Sequence, residues 1–296
     1  MNEQVYILII ISLLLILIFI GIRNILSRDI VIFHGEEFLN ASNVEVKDLN
    51  VIIKPEKKSS KVLIFNTFNY PKGLPEYAKY SSEITQKYAD KYGYDYRQFN
   101  HKDNELPPYW LRVKDALDVL TSTDYDIIVY LDLDATFYDF DTPIEEILIP
   151  NYDVYIGADP ANIISKGFNN IVNSGCFIVR NTEWSRKFFD IWLHNCIDNE
   201  GNLVGSCKKD WVKDGNGKWS CPSCKWAGLS YEQGSFGALY LMNILNAQDH
   251  VCIFNQKILS NTDPENRSFV LHLMGSSDSK RLEIFRNILT YISMRK

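Results

Sequence analysis

The sequence predicts an α/β protein, a three-layer sandwich in which a largely parallel sheet lies between helices. Short apolar runs that end in polar residues are typical of strands buried on both faces. Segments with helical periodicity separate these runs, and strands joined by helices favour a parallel sheet. The chain has 296 residues, of which 46% are hydrophobic and 23% charged. This composition is ordinary for a folded domain with a buried core.

In the first half of the domain, strand and helix signals alternate. The run Lys61–Thr67 reads as a buried strand. Glu76–Tyr92 carries its apolar side chains on one helical face, and Gly93 is placed to end that helix. The next predicted elements are a strand at Tyr94–Arg97, a helix at Trp110–Leu120 and a strand at Ile127–Leu131.

The second half continues this pattern around an irregular segment. Residues 198–228 are rich in Cys and Trp and have no clear periodicity, so we treat them as an insert. The predicted elements are strands at Val154–Ile156, Gly175–Val179 and Ser268–Leu273, and helices at Glu183–His194, Ser235–Asn246 and Asp278–Ser293.

The N-terminal segment predicts a single membrane anchor. Val5–Ile22 is about 18 uncharged residues, a length that can span a bilayer core. Its leader lacks Lys and Arg and no Ala-x-Ala site follows, which favours a permanent anchor over a cleaved signal peptide. We assign 23–58 to a stem and 59–296 to the folded domain, although parts of the stem would also fit edge strands of that domain.

Two aspartates directly follow the third predicted buried strand. Asp132 and Asp134 are separated by one residue, so strand alternation points both side chains the same way. The carboxyl ends of strands form the ligand site in open α/β sheets. Two converging carboxylates repel each other, and a hard divalent cation such as Mn²⁺ or Mg²⁺ relieves that repulsion and can bridge to a diphosphate. We therefore predict that Asp132 and Asp134 bind a metal and a nucleotide.

A second enzyme class fits the same residues. The run from Asp132 to Thr136 resembles the DxDx[TV] signature of haloacid-dehalogenase-type phosphatases. There Asp132 would be the nucleophile and Asp134 a general acid and base. In that class the signature usually follows the first strand of its domain, whereas two strands and two helices precede it here.

From Trp110 onward the chain resembles glycosyltransferase family 34, the galactosyl/mannosyl/xylosyltransferases. The resemblance rests on a helix led by Trp, the aspartate pair, and a strand of Asn-x-Gly type that leads into Arg-Asn-x-x-Trp-Ser at Asn173–Ser185. Tyr231–Gln233 and His272–Gly275 look like two further family motifs, with departures at Leu273 and Ser276.

This resemblance implies a GT-A fold and a retaining transfer of a hexosyl or pentosyl group from a UDP- or GDP-sugar to a glycan or glycoprotein. Asp132 and Asp134 would hold the cation and the diphosphate, with His272 as third metal ligand. Glu232 and Gln233 would lie beneath the donor sugar and stabilise an oxocarbenium-like state. Donor binding would involve Asn66, Thr67, Asn173, Gly175, Gly275 and Lys280, the last together with Arg281.

Location follows from the resemblance and from the charges near the anchor. Secretory-pathway transferases usually face the lumen, which implies a single-pass type II protein of the Golgi or secretory pathway. Arg23 and Arg28 follow the span, and the positive-inside rule then leaves the domain in the cytoplasm. The net charge of −6 and the lack of a basic stripe argue against a nucleic-acid partner.

Four cysteines lie in the insert or just before it, and the insert contains three tryptophans. Cys196, Cys207, Cys221 and Cys224 suit either disulfides or a structural zinc site, and buried free thiols are a third alternative. Because the insert directly precedes Glu232, we hypothesise that it forms part of the acceptor-sugar site, through Trp211, Trp219 and Trp226. A non-catalytic, anchored sugar-binding protein remains a third possible function.

Overall fold

The computed structural model describes residues 45–48, 60–70, 73–102, 105–159, 171–198 and 200–295. In chain order, the strands in these residues are β1 (Val46–Lys47), β2 (Val62–Phe68), β3 (Asp95–Asn100), β4 (Ile127–Leu131), β5 (Ala135–Phe137), β6 (Val154–Ala158), β7 (Val172–Arg180), β8 (Cys196–Ile197), β9 (Leu203–Val204), β10 (Val212–Lys213), β11 (Trp219–Ser220), β12 (Val251–Phe254) and β13 (Val270–His272). The α-helices are α1 (Glu76–Tyr92), α2 (Pro108–Ser122), α3 (Ile144–Ile147), α4 (Glu183–His194), α5 (Glu232–Leu241), α6 (Ala247–His250), α7 (Gln256–Leu259) and α8 (Asp278–Met294).

A seven-stranded sheet in the order β1-β12-β6-β7-β4-β2-β3 forms the centre of the domain. Its pairings are parallel except for those of β7, which is antiparallel to both β4 and β6. The sheet is therefore mixed, although mostly parallel as predicted. The direction of β7 matters for the site, because the beginning of β7 lies beside the carboxyl end of β4.

Both faces of the sheet are covered, which gives the predicted three layers. Along β2, Leu63 and Phe65 join a core formed with helices α2, α4 and α5, whereas Val62 and Ile64 face a core that includes residues of α1, α3 and α7. All four side chains are at most 2% exposed. This two-sided burial explains why the strand reads as a continuous apolar run.

Two predicted elements differ from the structure. The strand predicted at Ser268–Leu273 is not part of the main sheet: β13 pairs antiparallel with β5, which begins directly after the two aspartates. The helix predicted at Ser235–Asn246 begins at Glu232 and ends at Leu241. It ends early because Asn243, Leu245 and Asn246 have positive φ angles of 52°, 55° and 58°, which an α-helix does not accommodate.

The N-terminal predictions lie mostly outside the described residues. Val5–Ile22 is outside them, and no helix within the described ranges is long and apolar enough to cross a membrane. Val46–Lys47, within the segment assigned to a stem, pairs with Ile253 and Phe254 of β12. These two residues thus cover one edge of the sheet, where unpaired backbone groups would otherwise face solvent.

Two short hairpins form this region: β8–β9, whose first strand directly precedes the insert, and β10–β11 within it. Disulfides join Cys196 to Cys207 and Cys221 to Cys224. Of the alternatives for the four cysteines, the structure has the disulfides.

Candidate functional site

A cleft of about 760 Å³ opens at the carboxyl ends of β2 and β4. Its floor includes the start of β7, and its walls come from α2, α5, the insert and the segment after β13. The predicted site residues that line it are Thr67, Asp132, Asp134, Asn173, Gly175, Glu232, Gln233, His272 and Gly275, together with Arg281.

The two aspartates occupy a turn that connects β4 to β5. The backbone N–H of Asp132 donates to the carbonyl of Gly175 (2.7 Å), and the backbone N–H of Ala135 donates to the carbonyl of Asp132 (3.0 Å). On the other side, the N–H of Leu273 donates to the carbonyl of Asp134 (2.8 Å). Pairing of β5 with β13 places His272 opposite Ala135, and this register brings the imidazole to the carboxylates.

Asp132, Asp134 and His272 form a group that can hold a metal ion. One ligand atom from each residue lies within 4.8 Å of the other two. His272 Nε2 is 3.2 Å from Asp134 Oδ1 and 3.7 Å from Asp132 Oδ2. No other such cluster of His, Cys, Asp and Glu occurs among the residues that the structure describes.

Gly175 is required by this close packing. A Cβ at this position would lie 2.1 Å from Cε1 of His272 and 2.7 Å from Oδ2 of Asp132. Any side chain would therefore displace two members of the metal-binding group. The glycine permits the close approach and need not touch a ligand itself.

The charges of this group shift its pKa values. Burial raises the pKa of Asp134, but the charges of His272 and Arg281 outweigh burial and lower this pKa to about 2. Burial lowers the pKa of His272, but the adjacent Asp134 outweighs it and raises this pKa above its ordinary value. Asp134 is thus ionised, and without a metal His272 tends to hold a proton between the two carboxylates.

Each aspartate is also paired with one arginine. Arg112 Nη2 lies 3.0 Å from Asp132 Oδ1, and Arg281 Nη2 lies 2.6 Å from Asp134 Oδ2. The hydroxyl of Tyr130 also donates to Asp132 Oδ1. Arg112 Nη1 also donates to Asp132 Oδ2 (3.3 Å), the oxygen that faces His272, whereas Arg281 leaves Asp134 Oδ1 to His272.

Glu232 and Gln233 are the first two residues of helix α5, and Arg112 links Glu232 to Asp132 because it pairs with both. Ser174 links them to the floor: its Oγ donates to Glu232 Oε1 (2.8 Å), and its backbone N–H donates to Gln233 Oε1 (3.0 Å). Gln233 Nε2 donates to Asp159 Oδ2 (3.4 Å). Glu232 is only 2% exposed, and burial raises its pKa although the charge of Arg112, 3.5 Å away, opposes this.

Two predicted donor-binding residues do not line the cleft. Asn66 is 2% exposed: its Nδ2 donates to the carbonyl of Leu131 (2.6 Å), and its Oδ1 accepts from the hydroxyl of Tyr96. Asn66 therefore joins the ends of adjacent strands. Lys280 is exposed on the first turn of α8, and its neighbour Arg281 reaches the cleft instead.

Sequence reasoning missed Arg112, Ser174 and Asp159. Arg112 was readable in part, because a charged residue stands between the buried residues Leu111 and Val113 of an apolar helix. A charge in such a place usually has a buried partner. Ser174 and Asp159 carried no comparable signal.

The tryptophans of the insert have different surroundings. Trp226 lines the cleft and is 56% exposed, whereas Trp211 is 9% exposed and packs against Tyr109 and Tyr231. Trp219 lies in β11 and does not line the cleft.

Comparisons with known proteins agree with this architecture. Residues 83–221 match the family model of nucleotide-diphospho-sugar transferases. A glycosyltransferase involved in the glycosylation of the major capsid of PBCV-1 has a similar structure, with a TM-score of 0.52 and 14% sequence identity over 77% of this chain and 99% of that one. No match was found among curated proteins.

Two further solved structures are more distantly similar. The glycosyltransferase GlyE of Streptococcus pneumoniae has a TM-score of 0.44 and 11% identity, over 80% of this chain and 64% of that chain. A Drosophila β-1,4-galactosyltransferase 7 mutant, solved with manganese, UDP-Gal and xylobiose, has a TM-score of 0.39 and 11% identity, over 75% of this chain and 73% of that chain.

The matched family model and the shared fold agree with the chemistry of the cleft. The chain has the GT-A fold of nucleotide-sugar transferases, and the Asp-Asp-His group suggests a divalent metal. Together these findings support a glycosyltransferase enzyme.

Proposed function

We propose that the protein is a metal-dependent, retaining glycosyltransferase that moves a hexosyl or pentosyl group from a UDP- or GDP-sugar to a glycan or glycoprotein. The observation that carries this proposal is the convergence of Asp132, Asp134 and His272 at the end of β4, within one cleft that also contains Glu232 and Gln233. Membership of family 34, suggested by the motifs around Asn173–Ser185, is part of the same proposal.

The donor set fits a divalent cation. Asp132 Oδ2, Asp134 Oδ1 and His272 Nε2 would hold it. Arg281 pairs with the other oxygen of Asp134, whereas Arg112 contacts both oxygens of Asp132 and would share Oδ2 with the cation. An imidazole nitrogen beside two carboxylates suits Mn²⁺ better than Mg²⁺, which prefers oxygen ligands. When bound, the cation neutralises negative charge on the leaving diphosphate.

The protein's own side chains would orient the donor sugar. Gln233 is held by Ser174 and Asp159, so its amide has a fixed direction at the cleft wall. Glu232 lies behind it, and its Oε2 has no hydrogen-bond partner among the described residues. In a retaining transfer, Gln233 or Glu232 would stabilise positive charge that develops on the anomeric carbon.

The fold favours this function over the two alternatives. In phosphatases of the haloacid-dehalogenase type the aspartate pair usually follows the first strand of the domain, whereas here β2, β3, α1 and α2 precede β4. A non-catalytic sugar-binding protein would not need the metal-binding group. The match to nucleotide-diphospho-sugar transferases does not fit a phosphatase.

Location is a further part of the proposal. Val5–Ile22 would anchor the protein as a single-pass type II membrane protein of the Golgi or secretory pathway. The disulfides of the insert are consistent with an oxidising lumen, although Arg23 and Arg28 favour the opposite orientation.

The test is a donor screen with the full-length protein in detergent. We would measure nucleotide release from UDP- and GDP-sugars with Mn²⁺, in the wild type and in Asp134→Asn. We expect release from one donor, reduced at least about 100-fold in the variant because a metal ligand is lost. Asp141→Asn, an exposed aspartate outside the cleft, is the matched control and should behave as the wild type.

The phosphatase alternative predicts a different and equally specific result. No release from any donor, together with hydrolysis of para-nitrophenyl phosphate that Asp132→Asn abolishes, would replace the transferase by a phosphatase.

A further inference from the structure

Four aromatic side chains form a continuous wall on one side of the cleft. We call this the aromatic wall: Tyr109 from α2, Trp211 and Trp226 from the insert, and Tyr231, which directly precedes Glu232. Tyr109, Trp226 and Tyr231 line the cleft, and Trp211 lies beneath them. None of these four residues takes part in the metal-binding group.

Trp226 presents its indole ring to the open cleft. Its ring centroid lies 5.4 Å from that of Tyr109 and 5.0 Å from that of Tyr231, at interplanar angles of 73° and 62°. Neither neighbour stacks in parallel on the indole, and 56% of the residue remains exposed. A large aromatic side chain left exposed inside a functional cleft indicates a binding surface.

The position of Trp226 is fixed by its surroundings. Trp110 and Trp211 both donate from Nε1 to the carbonyl of Ser230, at 3.0 and 2.7 Å. A Cβ on Gly234 would lie 2.2 Å from the carbonyl oxygen of Ala227 and 2.3 Å from that of Gly228. The loop that carries Trp226 is therefore pressed against α5, which limits its movement.

We propose that the aromatic wall binds the apolar face of a neutral pyranose, the terminal sugar of the acceptor, by stacking on Trp226. This inference rests on the proposed function and names the acceptor class for the same cleft. A pyranose has an apolar C–H face that packs on an aromatic ring, while its hydroxyls need polar partners at the edge of that ring.

The polar groups next to the wall favour a neutral sugar. Asp159, Glu232 and Gln233 offer oxygen atoms that accept hydrogen bonds from hydroxyls, and the carboxylates repel an acidic sugar. The described residues that line the cleft include two arginines, Arg112 and Arg281, and no lysine. Both arginines are already paired with aspartates. Neither arginine is thus free to neutralise a uronate.

Saturation-transfer NMR on the full-length protein with UDP or GDP and Mg²⁺, which unlike Mn²⁺ is diamagnetic and does not broaden the probe signals, tests the proposal. The probes are the methyl glycosides of galactose, mannose and xylose, with the methyl glycoside of glucuronic acid as the charged comparison. We expect at least one neutral probe to bind and glucuronide binding to be weaker. Trp226→Ala should weaken the neutral probe about tenfold, in line with the energy of aromatic contacts.

Three variants sharpen the result. Trp226→Tyr keeps an aromatic face and should retain most of the affinity, whereas Trp226→Leu keeps apolar bulk and should not. Trp219→Ala removes a tryptophan of the same insert outside the cleft and should bind the probe as the wild type does. Thermal unfolding of each variant checks that it is folded.

Equal binding of the neutral probe to Trp226→Ala, or glucuronide binding as tight as that of the neutral probes, would overturn the proposal. So would the absence of binding by all neutral probes when nucleotide binds. Failure of the wild type to bind either nucleotide with Mg²⁺ in these samples, and with Mn²⁺ by calorimetry, would instead contradict the proposed function, so the two failures are distinguishable.

Discussion

The two arginine–aspartate pairs on either side of His272 look alike but differ in their second partners. Arg112 pairs with Asp132 and also lies 3.5 Å from Glu232, whose side chain is 3% exposed. Arg281 pairs with Asp134 and also with Asp278, whose side chain is 73% exposed. Because charge in a buried place must be compensated by the protein rather than by water, the first pair should matter far more to stability than the second.

The largest effect is expected from Arg112→Met. The substitution leaves Asp132 and the buried Glu232 without their shared cation, and we expect the free energy of unfolding to fall by roughly 3 kcal/mol. Urea denaturation in the presence of a chelator measures this. Arg295→Met, which removes an ion pair more than half exposed on both sides, should cost about 0.5 kcal/mol or less.

The double variant Arg112→Met/Glu232→Gln identifies the cause of that loss. If uncompensated charge on Glu232 is responsible, the double variant should be more stable than Arg112→Met alone. A double variant that is less stable than Arg112→Met would mean that Arg112 acts through packing instead.

The second-largest effect is expected on the affinity for Mn²⁺, and it depends on His272, which lies between the two arginine–aspartate pairs. Only the neutral imidazole binds a metal, and the pKa of His272 is raised above its ordinary 6.5 because the charge of Asp134 outweighs burial. The proton therefore competes with the metal up to this raised pKa. Below it, we expect Mn²⁺ affinity to fall about tenfold per pH unit as the pH decreases.

Isothermal titration calorimetry with Mn²⁺ over a pH series measures this dependence. His272→Asn should bind Mn²⁺ more weakly but with a flatter pH profile, and His194→Gln, which changes an exposed histidine, should match the wild type. A steep profile retained in His272→Asn would assign the competing proton to another group.

We expect the smallest effect from Arg281→Met. In the absence of metal, this substitution should lower the free energy of unfolding by about 1 kcal/mol. Burial raises the pKa of Asp134, but His272 and Arg281 lower it to about 2, so ionised Asp134 stabilises the fold above its ordinary pKa of 3.8. This contribution disappears as the pH falls through the lowered value. The stability gap between the variant and the wild type should therefore narrow between pH 3.8 and about 2.

Urea denaturation at several pH values in a chelator checks this last prediction. A gap that stays constant into the acid range would show that Arg281 acts on the fold without Asp134. A loss as large as that of Arg112→Met would remove the contrast between the two pairs.

Much of the fold could be predicted from local patterns. Helix α1 has the predicted bounds, and Gly93 ends it in the left-handed conformation, with φ of 73°. Strand β4 spans the predicted residues and delivers Asp132 and Asp134 to the cleft. The direction of β7 was not predictable, because the residues of a buried strand look the same whether the neighbouring strands run parallel or antiparallel to it.

Some roles of single side chains could be predicted from the sequence, and others could not. The sequence by itself determined that two carboxylates follow a buried strand, since periodicity and burial are properties of adjacent residues. Only the tertiary structure decided that Asn66 joins two strands under the site, that Arg112 compensates both Asp132 and Glu232, and that Trp226 rather than Trp219 faces the cleft. These contacts join residues far apart in the chain, so they depend on how the helices and the insert pack on the sheet, which no local pattern encodes.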